Sequence, residues 1–189
     1  MGTRILVTGP TKSGKSEWAE QLAAQQSQAV VYVATSRLHP DDAEWQARVA
    51  AHRQRRAPTW QTLEVPTALP TVLKQATTAE CWLVDALGTW VANRLEQSEE
   101  HWNAEVEALL AAIAPFPGTL ILVAEETGWG VVPAYPLGCT FRDRLGSLTR
   151  QVAAIVDVTY LVVAGFAIDL RQMGTLIAAP QPDSASGEA

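Results

Sequence analysis

Cysteine is scarce: the 189-residue chain has two, Cys81 and Cys139. Neither sits in a C-x-x-C pair, which argues against both a disulfide scaffold and a cysteine-rich zinc site. Long apolar runs are missing as well. The first, Ile5-Leu6-Val7, is far too short for a secretory signal, and no run approaches the ~20 residues that span a bilayer. Positive charge is also short. With a net charge of −6 and a pI near 5.0, no global basic field exists to replace the counterions of a nucleic-acid backbone. The expectation is a cytoplasmic protein with no membrane span and no nucleic-acid partner.

What is present points to a globular core. Hydrophobic residues make up 48% of the chain and charged residues 18%, and a chain of this length buries a core without staples. Short apolar runs at Arg4–Thr8, Ala29–Ala34, Gln61–Val65, Cys81–Asp85, Thr119–Ala124, Thr159–Ala164 and Phe166–Leu170 read as strands. Helical spacing is read over Ser16–Gln25, from a capping box at Asp41 and Glu44 to about Arg56, and over Ala68–Ala76, Trp90–Leu95, Trp102–Ala114 and Thr140–Val156. Strands alternating with helices imply an α/β fold with a mainly parallel sheet covered on both faces. No repeat or linker divides the chain. Residues 1–178 are expected to form one domain and 179–189 a disordered tail.

One motif is specific. Gly9-Pro10-Thr11-Lys12-Ser13-Gly14-Lys15-Ser16 satisfies GxxxxGK[ST], follows a buried strand and opens a helix. Glycines let the backbone curl so that N–H groups converge on phosphate, and the helix offers its N-terminus to the anion. Lys15 is expected on the outer phosphates and the Ser16 hydroxyl on Mg²⁺. Asp85 ends a buried strand, where P-loop proteins place an acid that holds Mg²⁺; a helix cap before Gly88 and Thr89 is the other reading.

The segment Arg48–Arg56 places Arg48, His52 and Arg56 on one helical face. Neighbouring guanidinium groups favour a neutral, nucleophilic imidazole and can grip phosphate oxygens. By local pattern alone, however, a solvated basic face is the better reading. Glu125-Glu126 follows a strand on the ligand-binding edge and offers a base, a substrate contact or a cap. Phe141-Arg142-Asp143-Arg144 offers an ion-paired helix start or a phosphate clamp. His39 and His101 read as surface residues. Trp18 and Trp45 fit helix core positions; Trp129 between its glycines offers a face for stacking on a planar ligand, though packing is the better reading.

Taken together, ILVTG-PTKSGKS, YVATS, ARVAAHRQRR-PTWQTLE, LVDALGTWVAN, ETGWGVVP, FRDRLG and YLVVAG resemble the bifunctional adenosylcobinamide kinase / adenosylcobinamide-phosphate guanylyltransferase family across nearly all of residues 4–165. The resemblance implies a RecA-like P-loop fold, often trimeric, that phosphorylates adenosylcobinamide with ATP or GTP and then transfers GMP to that phosphate. It puts the guanylylated histidine at His52. It puts guanine-nucleotide contacts at Gly9–Ser16, at Ala34, Thr35 and Ser36, at Arg53, Gln54, Arg55 and Arg56, and at Glu64 and Asp85. Departures stand at Ala51, Glu125-Glu126, Cys139 and Thr149-Arg150, where the family often has His, Asn-Glu, Arg and Asn-Gln. The alternatives are a P-loop kinase of another small molecule and a non-catalytic P-loop switch.

Overall fold

The computed structural model describes residues 2–37, 46, 50, 53–130 and 132–177. Seven strands form one sheet: β1 (Arg4–Gly9), β2 (Ala29–Ala34), β3 (Gln61–Glu64), β4 (Glu80–Asp85), β5 (Thr119–Glu125), β6 (Val158–Val163) and β7 (Phe166–Asp169). Their order is β3-β2-β4-β5-β1-β6-β7. Every pairing is parallel except β6 with β7. The helices with printed bounds are α1 (Lys15–Ala24), α2 (Leu69–Leu73), α3 (Leu87–Ala92), α4 (Glu99–Ile113), α5 (Pro136–Ile155) and α6 (Leu170–Met173). Gln46, Ala50 and residues 53–55 are also helical.

The central strands are apolar throughout because both faces are buried. Along β1, Leu6 joins one core while Ile5 and Val7 join the other, and β4 splits Trp82 and Val84 from Cys81 and Leu83 in the same way. This is the period-two alternation of a strand covered on both sides. One core is closed by α2, α3, α4 and α5, with Trp90, Trp102, Leu109 and Leu148 buried. The other is closed by Ala19, Leu22 and Ala23 of α1. This is the expected α/β P-loop architecture, with β5 inserted between the loop-bearing β1 and the acid-bearing β4. Among the described residues no helix is long and apolar enough to cross a membrane.

Several boundaries differ from the sequence reading. α3 runs from Leu87 to Ala92; its C-cap Asn93 keeps its backbone N–H on the Thr89 carbonyl (3.1 Å), while its side-chain Nδ2 donates to the carbonyls of Thr35 (2.8 Å) and Pro66 (2.9 Å). α4 starts at Glu99, capped by the Ser98 hydroxyl, which accepts from the His101 N–H at 3.3 Å. α5 starts at Pro136, a residue suited to a first helical turn. Beyond β6 the chain reverses through Ala164 (φ 50°) and Gly165 (φ 80°), which makes β7 antiparallel. Asp41, Glu44, Trp45, Arg48, His39, His52 and the segment 178–189 lie outside the described residues.

Candidate active site

The phosphate loop is shaped by its glycines and held by its neighbours. Gly9 ends β1 so close to β6 that a Cβ there would sit 2.1 Å from the Val162 carbonyl oxygen. Gly14 precedes α1 at φ 96°, a left-handed conformation that costs glycine little. Two backbone donors from outside reach the loop: the Glu126 N–H at the Gly9 carbonyl (2.9 Å) and the Gly165 N–H at the Ser13 carbonyl (3.2 Å). Lys15 Nζ folds back to the Pro10 carbonyl at 3.4 Å. The first turn of α1 opens onto the cleft above this loop.

Opposite the loop lies Asp85, at the end of β4. The Ser16 hydroxyl donates to its Oδ1 at 3.4 Å and the Tyr32 hydroxyl to its Oδ2 at 2.9 Å. Burial, reinforced by the Asp85 charge and opposed by Arg56, pushes the Tyr32 phenol far up, so it remains a neutral donor. A hydroxyl and a carboxylate converging this way fit a hard cation. Among the described residues no group of three or more His, Cys, Asp or Glu side chains would hold a metal by itself. The arrangement therefore suits a cation that draws its other oxygens from phosphate and water.

The basic run closes the cleft from the side. Arg55 donates to both Glu20 oxygens (3.1 and 3.4 Å), and Glu20 is buried on α1. The Glu20 hydrogen bond is the main cause that raises the Arg55 pKa. Arg53 meets Glu64 of β3 at 3.2 Å. Arg56 lies 3.3 Å over the Tyr32 ring, a cation–π contact. The fourth wall is Glu125, at the end of β5. Its carboxylate accepts the Gly88 N–H at 3.0 Å, and a Cβ on Gly88 would lie 2.1 Å from Oε2. Burial raises the Glu125 pKa, with Asp85 adding and Lys15 and the Gly88 N–H opposing.

The resulting cleft encloses about 610 Å³. The structure brings Thr11–Ser16, Ala34, Ser36, Arg53, Arg55, Arg56, Glu64 and Asp85 to its lining, all named from sequence. Gly9, Pro10, Thr35 and Gln54 are not part of that lining. Gly9 and Pro10 shape the loop from below. Thr35 is fully buried, its hydroxyl donating to the Ala86 carbonyl at 2.6 Å and meeting Thr89 Oγ1 at 2.5 Å. Gln54 is exposed. Sequence reasoning missed Tyr32, Thr62 and Thr89. Tyr32 had a legible signal, since a tyrosine inside an apolar strand needs a partner for its hydroxyl.

Other candidates resolve differently. Arg142 pairs with Asp143 at 3.0 Å, but inside α5, which starts at Pro136, so the pair is not a helix start. Arg144 is buried and donates to the carbonyls of Arg94, Leu95 and Gln97. Trp129 does not pack: it is 61% exposed. Cys81 is a buried core thiol whose pKa burial raises to about 12.

The chain has clear relatives. Residues 5–170 match the model of the cobinamide kinase / cobinamide phosphate guanyltransferase family. The chain is 40% identical over 170 residues to a bifunctional adenosylcobalamin biosynthesis protein, CobP, of Pseudomonas aeruginosa, covering 89% of this chain and 97% of that protein. It is 35% identical over 182 residues to the CobU protein of the same description from Escherichia coli, covering 88% and 99%. With the CobU protein of Salmonella typhimurium the identity is 34% over 182 residues, with the same coverage of 88% and 99%.

Proposed function

The chain belongs to the cobinamide kinase / cobinamide phosphate guanyltransferase family, and we propose from that premise that both half-reactions of this transferase run in the cleft above the phosphate loop. The observation that carries the placement is convergence. The phosphate loop, Asp85 and the arginines that directly follow His52 in the chain all line one cavity.

In the kinase step a nucleoside triphosphate, ATP or GTP, lies with its phosphates on the loop. The hydroxyl oxygen of adenosylcobinamide bonds to the γ-phosphorus, its proton is released to solvent, the bond to the β-bridging oxygen breaks, and the nucleoside diphosphate leaves. Loop N–H groups, the α1 N-terminus and Lys15 face the charge that spreads over the transferring group. Ser16 and Asp85 would hold Mg²⁺, which when bound neutralises charge between the outer phosphates. Tyr32 keeps the Asp85 carboxylate oriented through its 2.9 Å hydrogen bond.

In the transferase step His52 attacks the α-phosphorus of GTP and expels pyrophosphate, forming a P–N bond. A phosphate oxygen of adenosylcobinamide phosphate then displaces the imidazole, giving adenosyl-GDP-cobinamide. Arg53, Arg55 and Arg56 supply cationic groups for the leaving pyrophosphate. Ala34, Ser36 and Glu64 lie where the nucleoside would extend along the sheet edge. The same reading carries a cytoplasmic homo-oligomer, a trimer by the family's habit.

The test is incubation with α-labelled GTP and Mg²⁺, followed by intact-protein mass measurement. The expected product is one GMP adduct, acid-labile and alkali-stable, absent in His52→Ala and His52→Asn. Kinase turnover of cobinamide should persist at least partly in both variants. Labelled protein in the His52 variants would move the nucleophile elsewhere. A wild type that binds GTP but takes up no label would remove the covalent step.

A further inference from the structure

We propose that the corrin macrocycle docks on the described residues of the connection between β5 and α5, 126–130 and 132–135, with Trp129 and Tyr135 as its stacking surfaces. The proposal rests on the corrinoid reading above and assigns residues to it. Three observations carry it.

The first is space. The 610 Å³ cleft is in the range of a single small-molecule ligand and is lined by the phosphate loop and the arginines. A nucleotide fills such a site. A corrin macrocycle is bulkier and needs to send only its hydroxyl-bearing arm to the γ-phosphate, so its body must lie on the rim.

The second is continuity. The connection starts inside the site, with Glu125 lining the cleft and the Glu126 N–H bonded to the phosphate loop at Gly9. No other described segment runs from the lining into a set of exposed rings. The apolar set on β7 and α6 starts at Phe166, next to the loop-clamping Gly165, but β7 runs antiparallel to β6 and carries it back along the sheet edge, away from the cleft.

The third is the character of the surface. Trp129 is 61% exposed and Tyr135 65%, with Val132 and Leu137 exposed beside them in sequence. Local bonds shape the segment at both ends. The Gly128 N–H donates to Glu126 Oε1 at 2.6 Å, and Cys139 Sγ donates to the Pro133 carbonyl at 3.5 Å. The rings nevertheless face solvent. Large apolar groups left outward on a connection shaped in this way mark a ligand surface, and tryptophan and tyrosine offer flat faces with a polar edge. A corrin, apolar in its faces and fringed with amides, matches that chemistry.

The experiment is steady-state kinetics on the full chain carrying Trp129→Ala and Tyr135→Ala together. The expected result is a KM for cobinamide raised by ~10-fold or more, from the loss of buried aromatic contact. The KM for nucleotide and the GMP labelling of the protein should be unchanged. Trp129→Phe with Tyr135→Phe should restore most of the loss, and Phe166→Ala should leave the cobinamide KM as it was. A cobinamide KM within twofold of wild type in the double-alanine variant overturns the platform alone. So does a change of oligomeric state in that variant by sedimentation, which would make the face a contact between copies. A wild type that labels with GMP but never phosphorylates cobinamide overturns the corrinoid reading itself.

Discussion

Arg144 offers a prediction that separates two roles for a basic residue near a phosphate site. Its side chain is 7% exposed and donates to the carbonyls of Arg94 (3.1 Å), Leu95 (3.3 Å) and Gln97 (2.9 Å). These belong to the turn after α3, where helix-end carbonyls lack intrahelical donors. The guanidinium also sits 5.1 Å from the Trp102 ring and meets Glu99 at 2.7 Å. Arg144→Met keeps the stem and deletes the donors. The Arg94 carbonyl retains the Gln97 N–H at 3.1 Å, so the main loss falls on the other two. At about 1–3 kcal/mol per unsatisfied buried acceptor, and less where water reaches it, the cost is about 3 kcal/mol. The Glu99 arm adds little, because that carboxylate is 72% exposed. For a chain of this size the melting temperature should fall by roughly 6–12 °C. Well below the new midpoint, the KM for nucleotide and the turnover rate should match wild type. A stable Arg144→Met protein with impaired phosphoryl transfer would refute this and restore the phosphate-clamp role.

Lys15→Ala should lower both kinase turnover and GMP labelling by at least ~10², since each step handles a triphosphate on the same loop; full activity in a folded variant would remove the loop from the chemistry. Asp85→Asn should shift the Mg²⁺ titration of activity to higher concentration and slow the reaction, and an unchanged titration would leave Asp85 as a structural acceptor for Tyr32 and Ser16. Asp157 is held below the usual carboxylate range chiefly by its hydrogen bonds to Arg4. The stability it contributes is therefore present above the ordinary aspartate pKa and is lost as pH falls through the depressed one. Asp157→Asn should cost no more than about 1 kcal/mol at neutral pH for this partly exposed pair. Denaturation curves that differ equally from wild type at neutral and strongly acid pH would contradict that sign.

The sheet was legible because burial on both faces leaves a strand no polar positions, so β1, β2, β4 and β5 announce themselves as apolar runs. The GxxxxGK[ST] loop and the strand-end Asp85 were legible as residues at strand ends, and the structure brings Thr11–Ser16 and Asp85 to one cleft. What stayed hidden depends on partners distant in sequence. Thr35 reads as a nucleotide contact, yet its hydroxyl is taken by Ala86 and Thr89, 51 and 54 residues away. Arg144 reads as part of an ion-paired helix start or a phosphate clamp until carbonyls about 50 residues earlier surround it. The direction of β7 turns on Ala164, a residue that gives no sign of a left-handed conformation. Trp129 was misjudged because a large aromatic is assigned to a core by default, and only the structure shows that no core reaches it.

The two backbone clamps on the phosphate loop, one from each strand flanking β1, have a thermodynamic consequence. Fixing one residue's backbone costs about 1–2 kcal/mol of chain entropy. If the eight residues Gly9–Ser16 were ordered only on nucleotide arrival, the cost would be on the order of 10 kcal/mol, which exceeds the whole standard free energy of a micromolar complex, about 8 kcal/mol. With Glu126 and Gly165 already holding the loop, that entropy is surrendered during folding. The triphosphate then meets a rigid cradle, and its contacts can go toward the transition state instead of toward arranging the protein.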